Sequence, residues 1–424
     1  MYKSSLSSFG KNVLTLTIGS GLAQIAPILI SPILVQLYSP EDFGIFAIFF
    51  ALTSIFGTTV NGKYDIATVI PKKNTDAINL AAVSLLLSVF LSFILSLIIA
   101  IIFIFIDIKS FFNYSNDYLW IIGLPVAVFF TSLFNLLNYF NTRLEKYNDI
   151  AKSKVYKSIA LAFSQIGLSF LTTGMSGLAI GTILSNLSAN IKLAQNIIKD
   201  KSLIAKVTFR DMKLVASEYK IYPLYSNPAS LLDIATLQMP LFFIIKISSE
   251  ATNGYFFLAS RIISIPSALI GRSISQVFFQ QVSKLESQGR KCMPLLISTI
   301  KKLLMIALPI ATILFFGAPF LFELVFGKAW LEAGEIAKYL SLIFLIQFPV
   351  SSLSNILSLK EFVKRATAWK ILYFSSSLIL YLVTLTLNLD LYLFLKLYVI
   401  HEYFLYSIYM LLIVKSVLQI DREI

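Results

Sequence analysis

Apolar runs long enough to cross a bilayer follow one another along nearly the whole chain. A spanning helix needs about 20 mostly apolar residues, and in hydrocarbon it must satisfy its own backbone hydrogen bonds. Such runs fall at 12–37, 43–61, 78–106, 118–140, 154–173 and 177–198, and again at 224–247, 253–282, 294–322, 334–358, 367–387 and 391–414. The stretch from Lys199 to Tyr222 is the longest polar connection and divides the runs six and six. The expected fold is all-α and polytopic, with twelve transmembrane helices. Residues 1–200 form one six-helix lobe, 201–222 a cytoplasmic loop, and 223–424 a second lobe. The first run has full span length and another follows at once, so it reads as an uncleaved anchor and not as a signal peptide.

Charge placement supports this order. Only 13% of the 424 residues are charged and 57% are hydrophobic, whereas soluble domains carry about 25% charged residues. The net charge of +13 does not point to nucleic acid, because its distribution has another cause. With twelve spans, Lys109, Lys246, Lys328, Lys338 and Lys396 fall on one side. Arg261 and Arg272 fall inside a span, and every other one of the 35 Lys and Arg falls on the opposite side. The basic side is the cytoplasmic one, so both termini are expected there.

The single cysteine, Cys292, excludes an intrachain disulfide, and the single histidine, His401, excludes a histidine-based metal site. The chain has no Gly-rich phosphate loop, no HExxH pair and no nucleophile elbow. No loop is long enough to fold as a nucleotide-binding domain. Neither an enzyme nor a cofactor nor a metal centre is expected, and neither is direct coupling to ATP hydrolysis within this chain.

The polar residues inside the spans carry the functional signal. Arg261 and Arg272 lie eleven residues apart in the eighth span. On a continuous helix that spacing returns them to nearly one face, about 16 Å apart along the axis. An ionised side chain at the bilayer centre costs about 3 kcal/mol on insertion scales, so the pair should face protein or a wet cavity. Asp233, in the antiparallel seventh span, sits at the depth of Arg272 and is its expected ion-pair partner. Arg261 has no evident partner and is the candidate for meeting an anionic substrate. Arg272 either lines a cavity or snorkels to the inner interface. Lys63 and Asp65 close the second span with Asn61. They either mark the inner interface or line a cavity mouth, where Asp65 or Asp233 would bind a coupling ion.

Other polar residues read as packing. Asn135, Asn138 and Thr142 share one helix face, as do Asn186 and Asn190, and amides in membranes serve chiefly to join helices. Gln347 and Asn355 read alike. His401 and Glu402 are adjacent in sequence and should point in different directions, which suits packing better than proton relay. Gln24, Pro27 and Pro32 suggest a bent first helix. Pro240 and Pro266 suggest the same for the first hairpin of the second lobe. The lobes also resemble each other weakly. Ser39-Pro40-Glu41-Asp42-Phe43-Gly44 and Ser249-Glu250-Ala251-Thr252-Asn253-Gly254 both place an acidic outer turn before a helix, and Gly62-Lys63 matches Gly271-Arg272 in position. Two same-orientation repeats are related by an axis along the membrane normal.

Several of these stretches resemble a known family. Leu37-Tyr38-Ser39-Pro40-Glu41-Asp42-Phe43-Gly44 is similar to the first outer turn of the polysaccharide transporter family, the Wzx-type flippases of lipid-linked oligosaccharides. Gly62-Lys63-Tyr64-Asp65-Ile66-Ala67 with Pro71 resembles the inner end of that family's second helix. Tyr222-Pro223 opens the second lobe as it does there. Ala259-Ser260-Arg261-Ile262-Ile263-Ser264-Ile265-Pro266 and Ser273-Ile274-Ser275-Gln276-Val277-Phe278-Phe279 resemble its eighth helix. The family belongs to the superfamily that also holds multidrug-and-toxin extruders.

The resemblance implies a V of two lobes with alternating access and a cationic central cavity. Its cargo would be an undecaprenyl-diphosphate-linked repeat unit of O-antigen or capsule, moved to the outer leaflet of the bacterial inner membrane. It further implies a coupling proton or sodium ion, and the pathway's polymerase and chain-length machinery as partners. It places Arg261, Arg272 and Lys63 on the substrate. A multidrug or cation antiporter is the chief alternative, although such cargo needs acidic, aromatic walls. A peptidoglycan-precursor flippase is a second alternative and often carries extra spans. A polymerase or ligase needs a large outer loop that this chain lacks.

Overall fold

The structure, a computed structural model, describes residues 21, 27, 29–105, 120–359 and 361–423. The helices are α1 (Ser31–Leu37), α2 (Pro40–Gly57), α3 (Tyr64–Ala67), α4 (Asn74–Phe105), α5 (Trp120–Arg143), α6 (Tyr147–Leu168), α7 (Ser176–Ile198), α8 (Lys201–Ile204) and α9 (Phe209–Glu218). They continue as α10 (Asn227–Ile247), α11 (Glu250–Ile263), α12 (Arg272–Ser287), α13 (Met293–Phe326), α14 (Leu331–Leu353), α15 (Val363–Thr386) and α16 (Leu391–Glu423). Among the described residues there is no strand.

Nine helical stretches of the described chain are long and apolar enough to cross a membrane. The fifth and sixth expected spans correspond to α6 and α7, which are long enough but more polar. Lys152, Lys154 and Lys157 all lie within α6, and the Lys157 ammonium sits 4.5 Å from the centre of the Phe134 ring. The first expected span falls mostly outside the described residues, Gln24 with it. Pro32 lies in the first turn of α1, where its missing N–H costs nothing. The protein is a multi-pass, all-α membrane protein, and twelve is an approximate helix count.

The two similar outer turns prove to be helix caps. The Ser39 hydroxyl accepts from Asp42 N–H at 3.2 Å, and the Asp42 carboxylate accepts from Ser39 N–H at 2.9 Å. This is a capping box with Pro40 as the first helical residue. In the same way the Ser249 hydroxyl accepts from Thr252 N–H at 3.1 Å and starts α11.

The contacts divide the chain into two compact units, residues 1–238 and 239–424. The boundary falls inside α10, so the connection 201–222 and Asp233 belong with the first unit. That connection is not a bare loop. Val215 of α9 packs with Tyr64, Ala67 and Leu80, and the Tyr64 hydroxyl donates to the Ala216 carbonyl at 2.9 Å.

Amides and hydroxyls join the helices of the first unit, as their sequence pattern predicts. Asn135 Nδ2 donates to the Gly57 carbonyl at 3.3 Å, and Asn190 Nδ2 to the Phe130 carbonyl at 2.9 Å. The Ser88 and Ser132 hydroxyls are 2.7 Å apart. A crevice of 530 Å³ opens among α4, α5 and α7, walled by apolar side chains such as Leu85, Phe130 and Leu187, with Asn190 among them.

In the second unit α14 is the central element and packs on α11, α13 and α16. Its Phe348 and Leu353 are fully buried.

Candidate functional site

In the first unit the turn between α2 and α3 presents Asn61 and Lys63, and the first turn of α3 presents Asp65. Gly62 and Lys63 both take left-handed backbone angles, with φ of 61° and 59°. Two such residues in a row turn the chain sharply between α2 and α3. Asn61 Oδ1 fixes the turn by accepting Lys63 N–H at 3.0 Å. A left-handed lysine costs about 1–2 kcal/mol, and strain of this kind collects at functional sites.

All three side chains are buried, at 0%, 8% and 1% exposure. Burial holds the Lys63 ammonium below the usual lysine range, and the charges of Asp65 and Asp233 oppose that shift. Burial pushes the Asp65 carboxyl above the usual carboxylate range, against the pull of Lys63 and Asn61. The Asn61 amide lies beside that carboxyl, yet Asn61 Nδ2 and Asp65 Oδ1 have no partner at hydrogen-bond geometry. The result is a desolvated lysine beside a buried carboxyl, each acting on the charge of the other. Asp233, the expected partner of Arg272, belongs to the same unit as Lys63 and lies within electrostatic reach of it.

Arg143, an inner-side basic residue in the sequence reading, anchors the segment that follows. It donates to the carbonyls of Thr68, Val69 and Pro71 at 3.4, 3.3 and 2.6 Å, and to Asn74 Oδ1.

In the second unit the eighth span, Glu250–Ser287, does not keep one α-helical period: α11 ends at Ile263, and after Pro266 the helix makes a π turn over Ser267–Gly271 before α12 begins at Arg272. Pro266 explains the break, because it lacks an N–H and crowds the preceding turn. A π turn widens the hydrogen-bonded ring from i→i+4 to i→i+5, and so shifts the helical phase. The single-face alignment of Arg261 with Arg272 therefore does not survive: it assumed an unbroken 3.6-residue period. Arg261 is half-buried near the end of α11, and Arg272 is exposed at the head of α12. Among the described residues the Arg261 guanidinium has no hydrogen bond or ion pair. A second π turn, Tyr222–Ser226, contains Pro223 and precedes α10, whereas α10 runs unbroken through Pro240.

The expected match of Gly62-Lys63 to Gly271-Arg272 also fails at the backbone. The first pair is left-handed, and the second is right-handed helix.

Sequence reading underrated Glu402. Its side chain is 1% exposed within the second unit. The Tyr373 hydroxyl lies 3.0 Å from each carboxylate oxygen, and His401 Nδ1 lies 3.4 Å from Oε1. The two neighbours therefore do meet, against expectation, because their rings and chains curl back toward α15. Three carboxyl or imidazole groups that could hold a metal ion do not come together among the described residues.

Comparison with known proteins places the chain. A family described as a polysaccharide biosynthesis protein matches residues 33–335. No curated protein matches closely enough to count as a relative. Among solved structures, an outward-facing multidrug resistance MATE family transporter of the MOP superfamily is similar, with a TM-score of 0.62 and 17% identity over 97% of this chain and 96% of that one. A MOP superfamily transporter from Pyrococcus furiosus, described as having a binding pocket of reverse polarity, gives a TM-score of 0.63 and 18% identity over 97% and 96%. The inward-facing MATE transporter gives 0.58 and 16% over 96% and 95%. At these identities the likeness is one of fold.

Proposed function

The chain belongs to the polysaccharide biosynthesis protein family, and on that premise we propose that it is a flippase for undecaprenyl-diphosphate-linked oligosaccharides destined for O-antigen or capsule. It is a membrane transporter and not an enzyme. Arg261 carries the proposal for the cargo. A guanidinium placed in a membrane span without a partner among the described residues is costly. An incoming phosphate relieves that cost with charge-assisted hydrogen bonds.

In this reading Arg261 receives the diphosphate, while Arg272 and Lys63 add positive charge along the path. The prenyl tail stays in lipid, because a chain of hydrocarbon gains nothing from leaving it. The sugars need polar walls, so the apolar crevice of the first unit does not suit them. With the cytoplasm negative, an anion moves outward downhill by about 2.3 kcal/mol per charge per 100 mV. Alternating access can therefore run without ATP, assisted by a proton or sodium ion bound at Asp65 or Asp233. Delivery to a polymerase and its chain-length machinery at the outer face of the bacterial inner membrane would follow.

Replacement of Arg261 by Ala and by Lys tests the reading through surface glycan at matched protein levels. Arg261→Ala should lower glycan export by about 10–100-fold, the scale of a lost charged hydrogen bond of about 1.5–3 kcal/mol. Arg261→Lys should retain part of it, since the point charge remains without the bidentate fork. Unchanged glycan in Arg261→Ala removes this residue from the mechanism.

A further inference from the structure

Glu402 stands on α16 inside the second unit, in a setting built around one proton. The groups that face it come from α15 and α16. They are Tyr373 and Tyr381 from α15, and Tyr398, His401 and Tyr406 from α16. From α14 comes the uncharged Gln347, whose amide donates to the Tyr406 hydroxyl at 2.9 Å. Trp369 closes the set. It stacks on Tyr409 at 3.8 Å and on Tyr373 at 5.0 Å, and its indole N–H donates to the Leu405 carbonyl at 3.2 Å.

The Ser376 hydroxyl reaches the Tyr373 carbonyl at 3.2 Å, and its oxygen lies 3.0 Å from His401 Nε2. With the hydroxyl hydrogen on that carbonyl, the His401 tautomer that completes the second contact carries its hydrogen on Nε2. Its Nδ1 is buried, has no hydrogen-bond partner, and faces Glu402 Oε1 at 3.4 Å. If both groups were unprotonated there, a nitrogen lone pair would face a carboxylate oxygen in a site closed to water. One proton between them removes that conflict, whether held as O–H toward Nδ1 or as N–H⁺ toward the carboxylate. The Tyr373 hydroxyl donates to the carboxyl in either case.

We infer that Glu402 and His401 together form a proton-binding site in which a single proton is shared between Glu402 Oε1 and His401 Nδ1. His401 is the entry, with a side chain 12% exposed against 1% for Glu402. Binding adds one proton to the pair and breaks no covalent bond, and release returns the same proton. A sodium ion fits less well. Among the described residues, the oxygens gathered on Glu402 are its own and the Tyr373 hydroxyl, whereas hard cations take several oxygen ligands at once. The site couples to packing because Tyr373, its main donor, stacks on Trp369 of the same helix, which in turn stacks on Tyr409 of α16. The inference adds a coupling site to the transport reading but does not depend on the cargo being a glycan.

The test is pH-difference infrared spectroscopy of the purified full-length protein in liposomes, without substrate. The carbonyl band of a protonated carboxylic acid, or the imidazolium band of His401 if the proton rests on Nδ1, should appear as pH is lowered and be lost in Glu402→Gln. It should shift in frequency and midpoint in His401→Gln and in Tyr373→Phe, which keep side-chain bulk. If Glu402→Gln does not fold, the two shifts decide the matter. A band that persists in Glu402→Gln overturns the inference, as does one unmoved by both other variants. A band displaced by sodium chloride but not by potassium chloride at fixed pH overturns it in favour of a sodium site. Glycan export unaffected by Arg261→Ala, beside an intact Glu402 band, would remove Arg261 from the transport reading and leave the proton site standing.

Discussion

Two adjacent residues show how one position can carry both structure and function. Gly62 and Lys63 take the same left-handed turn, but only glycine does so without steric cost. A Cβ at residue 62 would stand 3.3 Å from Leu87 Cδ1 and 3.4 Å from Tyr64 Cδ2. Gly62→Ala should therefore destabilise the protein by about 1–2 kcal/mol, read as an earlier thermal transition in detergent. Lys63→Gly should leave that transition unchanged or raise it, because glycine relieves the strain. A fall in transport in that variant then reports the lost ammonium and not a damaged turn. The chemistry of Lys63 and Asp65 was legible as charges at the end of an apolar run. Their burial was not, because it depends on α9 folding back onto α3 and α4. Glu402 was missed for a related reason. A carboxylate beside a histidine gives no hint of the tyrosine that reaches it from another helix.

At the scale of elements, caps and breaks were written more clearly than faces. Ser39-Pro40 and Ser249 mark helix starts by local hydrogen bonding, so they are readable without tertiary contacts. Pro266 signals a break, but the π turn that follows it depends on the helices packed around Gly271, whose missing Cβ would lie 2.9 Å from Ser352 Oγ. Hence the arginine spacing was visible and its geometry was not. Helix packing itself has a sharp test. A Cβ on Gly334 of α14 would lie 2.5 Å from Pro319 Cα and 2.7 Å from the Ala318 carbonyl oxygen on α13. Backbone atoms cannot turn aside as a side chain can, and close approach of helices in membranes relies on small residues. Gly334→Ala should force α13 and α14 apart and cost about 1–3 kcal/mol, the usual range for overpacking. The readout is loss of the monodisperse peak on heating, compared with Gly317→Ala, whose added Cβ meets only Leu321 side-chain atoms at 3.7 Å or more.

For the whole molecule, the order of spans predicts which residues face the cytoplasm. Cys292 is fully buried, so a Cys292→Ser background adds no label of its own. Single cysteines at Lys72 or Lys199 should resist a membrane-impermeant maleimide in intact cells and react after lysis. Cysteines at Lys246 or Lys328 should react in intact cells. All four positions are exposed, so a reversed pattern means reversed topology. The same logic explains the charge of +13 as a device of orientation.

Class, approximate span count and family were readable from the sequence alone, because hydropathy and the placement of Lys and Arg are summed over many residues and tolerate local error. Tertiary structure alone decided that Asp233 lies near Lys63, that a π turn separates Arg261 from Arg272, and that Glu402 meets Tyr373 and His401. Each of these depends on helix phase and on partners distant in the chain, where a shift of one residue turns a side chain by about 100°.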